Sequence, residues 1–209
     1  MILLAALTGF ASLTAAAWIH IKAYVAQAMI ADAWRRAGHG ETDVHPWPWA
    51  DTTPVARLIM ISPDPTELVV LEGSSGRNLA FGPVHDPASV LPGERGNSVI
   101  AGHRDTHFRF LQDLRAGDRL AVERSNRVRW FVVTGTSVVD SRSTRIALRS
   151  DVPRLTLVTC YPFDAIEPGG PLRYVVTAEL AQDPAPDPPA QDRPETALGP
   201  QPTSMIRPI

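Results

Sequence analysis

Between Val55 and Leu180 the chain is cut into short runs rich in Val, Ile, Thr and aromatics: VARLIMI, ELVVL, NSVIAGH, DRLAVER, VRWFVVTGTSVV, LTLVTC and LRYVVTAEL. Turn material such as SPDP, GSSG, LPGERGN and EPGGP separates them. β-branched and aromatic residues suit a pleated, half-buried surface, and Gly/Pro/Asn/Asp clusters end each strand. Regular short strands without intervening helical periods predict a mostly β barrel or sandwich rather than βαβ repeats. One short helical insert is predicted over Thr106–Leu114, where His107, Phe110, Leu111 and Leu114 fall at helical spacing.

The flanks read differently. Met1–Ile19 holds no charged side chain and is mostly Ala, Leu and Ile. About 19 residues of helix just span a hydrocarbon core of about 30 Å. Trp18, His20, Lys22 and Tyr24 follow as an interfacial collar. Residues 1–22 are therefore read as a single-pass membrane anchor, with a cleaved signal peptide and a buried core helix as alternatives. The signal-peptide reading lacks a positive n-region. Lys22, Arg35 and Arg36 follow the span and nothing basic precedes it, so the positive-inside rule gives no support for an outward-facing C-terminal side.

Residues 23–53 comprise an amphipathic helix and a linker. Tyr24/Val25, Ala28/Met29 and Ala33 mark the apolar stripe, Gly38 and Gly40 stop the helix, and HPWPWADTTP continues as extended chain. Trp47 and Trp49 are expected to pack on the domain or lie at a membrane interface. A domain over residues 54–181 follows. Residues 182–209, rich in Pro, Asp, Ala and Gln, lack the aliphatic clustering that would offset ordering entropy and are read as a disordered tail. The net charge of −2 over 209 residues gives no basic field for nucleic acid.

Chemistry has few places to reside. Cys160 is the chain's one cysteine, at the end of LTLVTC, so it has no intramolecular disulfide partner. It is either a small buried hydrophobe or a thiol kept for reactivity. His103 follows an apolar strand and a glycine in AGHRDTHF, and Arg173 starts LRYVVTAEL. A thiol nucleophile needs a nearby base and a donor for the oxyanion, and Arg offers a permanently charged fork of donors. Three strand ends can meet on one barrel rim, but composition and periodicity leave the inert-cysteine reading open.

The wording of the motifs weighs on that choice. TLVTC at Thr156–Cys160, VIAGHRDTHF around His103 and the LRYVV strand carrying Arg173 resemble, in this order, the sortase family of cysteine transpeptidases. PGERGNSVIAGHRDTHFRFLQDLRAGDRL and TCYPFDAIEPGGPLRYVV look most like class GN sortases of Gram-negative bacteria, with classes D and C next. The resemblance covers about Pro46–Leu180 and implies an eight-stranded β-barrel with short helices. It implies Cys160 as nucleophile forming a thioester, His103 as acid and base, Arg173 as oxyanion and backbone binder, and Thr159 lining the substrate site. The implied partners are a protein bearing an LPXTG-like sorting signal and an amine acceptor. The implied location is the extracytoplasmic (periplasmic) side of the cell membrane, and no cofactor or metal is called for.

Other residues receive plainer readings. His107 lies four residues after His103, and with His85 or Asp105 that spacing raises metal ligation, but no HExxH or paired cysteine accompanies it. His107 is read as a packing residue, His85 as a loop residue near the cleft, and Asn97 as a turn residue. Asp105 is read either as orienting His103 or as a turn hydrogen bond. Arg104 and Arg109 are read as solvated or salt-bridged, and Glu167, in the loop between the cysteine and the arginine, as solvated, with a substrate contact as the alternative. An L,D-transpeptidase would want an Arg almost adjacent to the cysteine, whereas Arg173 is 13 positions beyond Cys160. The non-enzymatic alternative is a membrane-tethered β-barrel binding module with a buried, inert Cys160.

Overall fold

The computed structural model describes residues 22–61, 66–73, 75–165, 167 and 169–181. Eight strands close into a barrel: β1 (Pro54–Met60), β2 (Thr66–Glu72), β3 (Val84–His85), β4 (Gly96–Ala101), β5 (Arg119–Arg124), β6 (Arg127–Asp140), β7 (Pro153–Cys160) and β8 (Leu172–Leu180). Their order around the barrel is β1-β2-β3-β4-β7-β8-β6-β5. The seven runs of the sequence account for seven strands. The eighth, β3, has two residues, too few to carry a period-two pattern.

Alternation decides which face each residue takes. β1 alternates buried and half-buried along its whole length, and Ala56, Leu58 and Met60 point into the core. On β7 and β8 the inward set includes Leu155, Leu157, Val176 and Ala178. With a period of two, Val158 and Cys160 on β7, and Arg173 and Val175 on β8, then share the outer face.

The connection from β4 to β5 closes one end of the barrel. It carries a 3₁₀ helix (Arg109–Asp113) in place of the predicted α-helical insert. Phe108 and Leu111 are fully buried and Leu114 nearly so, all within the barrel core. Leu111 and Leu114 belong to the set whose spacing suggested a helix; Phe108 does not, and Phe110 is only partly buried. The segment's backbone closes i→i−3 bonds instead, Leu111 N–H to the Phe108 carbonyl and Leu114 N–H to the Leu111 carbonyl.

Outside the barrel, helix α1 (22–38) packs through Ala26, Ile30 and Ala33, which are all buried. Ile30 meets Leu71 and Val84, with Trp47, Phe81 and Ala101 around them. The helix therefore ends at Gly38, but its seated stripe is rotated by about one residue from the expected one. Tyr24 and Val25 face solvent, because the small Ala26 and Ala33 allow the close approach that sinks Ile30. Trp47 packs edge-on to Phe81 at 4.9 Å, whereas Trp49 is exposed. Among the described residues no helix is long and apolar enough to cross a membrane. Residues 1–21 of the expected anchor and the expected tail, 182–209, lie outside the described residues.

Candidate active site

Strand β7 is the middle of three strands that bring the chemistry together. On one side β4 runs parallel to it, with Ala101 beside Val158. The chain continues this pairing past the end of β4: Gly102 N–H donates to the Val158 carbonyl at 3.1 Å. The Thr159 hydroxyl donates to the Gly102 carbonyl at 2.7 Å. His103 is thus carried level with Cys160. On the other side β8 is antiparallel, and Cys160 is directly paired with Arg173. Residues opposite one another across an antiparallel pair hold their Cβ atoms about 5 Å apart on the same face. Cys160 and Arg173 therefore stand side by side, and His103 emerges one strand away on the same rim.

Gly102 is needed where it stands. A Cβ there would lie 2.7 Å from Phe108 Cγ, inside any tolerable contact. The glycine before His103 thus lets the Phe108 ring close the barrel end beneath the site.

Cys160 is free and half-buried, not sealed in the interior as the inert-cysteine reading requires. His103 is exposed. Arg173 Nη1 donates to the Gly170 and Leu172 carbonyls, both at 2.8 Å, which uses two of the guanidinium's five N–H donors. Its charge also contributes to holding the Asp140 carboxyl below the usual carboxylate range, after the larger effect of hydrogen bonds from Arg142. Asp140 ends β6 on this same rim, opposite Leu172. His107 sits below the ordinary imidazole value, chiefly through burial and secondarily through the charge of His103. His107 is thereby kept neutral at neutral pH.

Thr159 differs from what the resemblance implied. It is 2% exposed and its hydroxyl is committed to Gly102, so in this structure it offers no surface to a substrate. It supports the stem of His103 instead. Asp105 meets Arg104 Nε at 3.3 Å. His85 lies not in a cleft loop but buried in β3, with Nδ1 at 3.2 Å from Glu72 Oε2 and Nε2 at 3.0 Å from the Val90 carbonyl. Among the described residues no cluster of His, Cys, Asp and Glu is arranged to hold a metal ion.

Two residues matter here that the sequence left plain. Asn97 is not a turn residue but a buried member of β4. It accepts from the Thr156 hydroxyl and donates to the Ala147 carbonyl, both at 2.8 Å, tying β4, β7 and the β6–β7 connection together. Arg104, beside His103, is 6% exposed rather than solvated. The one signal that could have found it is its adjacency to His103.

Residues 61–181 match the sortase domain family. Sortase D of Bacillus subtilis is 36% identical over 111 residues, covering 53% of this chain and 56% of that relative, so the match spans little more than half of the relative's length. Among solved structures, a Clostridium perfringens sortase D5 transpeptidase is 27% identical, with a TM-score of 0.54 over 62% of this chain and 79% of that one. Sortase A from Corynebacterium diphtheriae, 24% identical, shares the fold with a TM-score of 0.59 over 68% of this chain and 66% of that one. With more than half of its residues inside the matched domain, the chain belongs to the sortase family.

Proposed function

We propose that this protein is a cysteine transpeptidase that cleaves an LPXTG-like sorting signal near the C-terminus of a protein substrate and passes the protein to an amine acceptor. The observation that carries this reading is the direct β7–β8 pairing of Cys160 with Arg173, with His103 delivered to the same rim by β4. The Cys160 thiolate attacks the scissile carbonyl and forms a thioester as the amine leaves. His103 protonates that amine and later takes a proton from the incoming one. Arg173 turns its remaining N–H donors on the tetrahedral oxyanion, where donors in a partly desolvated site are most effective. Thr159 acts indirectly, by fixing Gly102.

The wording of the motifs supports a place nearest class GN, while the Bacillus subtilis relative is a sortase D. The uncharged run Met1–Ile19 supports a single-pass anchor, and the resemblance to sortases, rather than the flanking charges, supports a barrel on the periplasmic side. Retention of the full chain in membranes after an alkaline wash, lost on deleting residues 1–21, is the expected result for that anchor; equal washing-out of both refutes it.

The experiment that tests the activity is turnover of a fluorogenic LPXTG-like peptide by the full chain and by Cys160→Ala. Cleavage by the wild type and none by the variant supports the reading. Retained cleavage by a folded Cys160→Ala removes Cys160 from the chemistry.

A further inference from the structure

Arg104 is a cation buried at a barrel rim, and a buried guanidinium is tolerated only when its donors are met. Its ion pair with Asp105 is loose, at 3.3 Å, and Asp105 itself is 68% exposed. The stronger bonds go elsewhere. Nη1 donates to the Pro162 carbonyl at 2.9 Å, and Nη2 donates to the Ala165 carbonyl at 2.7 Å and the Glu167 carbonyl at 3.2 Å. All three acceptors belong to the segment that leaves Cys160 toward Arg173. Arg104 is the chain neighbour of His103, and Pro162 lies two residues after Cys160.

Sheet pairing holds the backbone as far as Gly102 on one side and Tyr161 on the other, where Tyr161 N–H donates to the Leu172 carbonyl at 3.1 Å. Beyond those points the His103 loop and the β7–β8 connection both leave the sheet. We propose that Arg104 is a positioning residue that clamps these two segments together, holding His103 in register with the Cys160 thiol for the transfer reaction. The inference rests on the transpeptidase reading. A planar fork with donors on separate nitrogens can reach carbonyls spread over six residues of chain, whereas a lysine ammonium is a single point of donation. Because the clamp acts on alignment and not on substrate contacts, its loss is read in turnover rather than in binding.

The test compares steady-state cleavage of an LPXTG-like peptide by the full chain, by Arg104→Lys and by Arg104→Ala, each checked for cooperative melting above the assay temperature. The expected result is kcat lowered by about 100-fold in both variants, with KM within about threefold, since small misplacements of reacting groups cost on this order. Millimolar guanidinium ion is expected to restore part of the turnover of Arg104→Ala. If Arg104→Ala does not fold, Arg104→Lys, which keeps the buried charge, carries the comparison. Wild-type kcat in a folded variant, or a loss confined to KM, overturns the clamp alone. A wild type that cleaves no sorting peptide overturns the transpeptidase reading and the clamp with it.

Discussion

At the site, the proposed chemistry rests on Cys160, His103 and Arg173 at one barrel rim. Arg173 is the clearest case, because it stands opposite Cys160 and two of its donors already engage the Gly170 and Leu172 carbonyls. Replacing it with lysine keeps the charge but loses the fork. Peptide turnover by Arg173→Lys is expected to fall by about 100-fold, the scale on which a lost oxyanion donor is felt. Unchanged turnover would place the oxyanion elsewhere. Thr159 supports His103 through Gly102, and Thr159→Val leaves that carbonyl without its donor. Such a loss costs about 1–3 kcal/mol, to be read by denaturant unfolding, with kcat falling alongside it. His107 gives a pH signature. Its imidazole is held below its ordinary value, so the unfolded chain binds the extra proton first. Stability from this residue is present above about pH 6.5 and is lost as pH falls through its folded-state value. Thermal unfolding of His107→Gln is expected to show a flatter profile below about pH 6.5 than the wild type; identical profiles contradict the assignment.

Among the elements, the connection from β4 to β5 does most to join fold and site. It begins with the Gly102–His103 pair, sinks Phe108 and Leu111 into the barrel end, and hands the chain to β5. Phe108→Ala opens a cavity directly beneath the site and is expected to cost about 3–5 kcal/mol, measured by denaturant unfolding. Gly102→Ala forces the same ring to move and is expected to destabilise in the same direction. A Gly102→Ala protein as stable as the wild type would mean that Phe108 has room to shift. This element was half legible beforehand. Its apolar spacing announced burial, but spacing alone does not separate a 3₁₀ turn from an α-helix over so few residues. Helix α1 taught a similar lesson: its end at Gly38 was readable, while the choice of seated face depended on how closely alanines let it approach β2 and β3.

For the molecule as a whole, seven strands were written in the sequence as β-rich runs, and the eighth was not, because β3 earns its place by pairing with β2 and β4 rather than by composition. The β4-β7-β8 strand order is what makes Cys160, His103 and Arg173 neighbours. Motif wording pointed to these residues, but the side-by-side arrangement depends on β4 and β8 both flanking β7, an order that chain sequence does not display. The supports were the least legible part. Arg104, Asn97 and Thr159 act through carbonyls and hydroxyls of distant segments, and polar residues in such roles look like ordinary surface until the fold is known. The most direct measurement of the central claim is intact-protein mass spectrometry of the full chain incubated with an LPXTG-like peptide and no amine acceptor. An adduct with the mass of the N-terminal peptide fragment, mapped to Cys160 and cleaved by hydroxylamine, is the predicted result. Peptide cleavage with no such adduct, or an adduct on a residue other than Cys160, would contradict it.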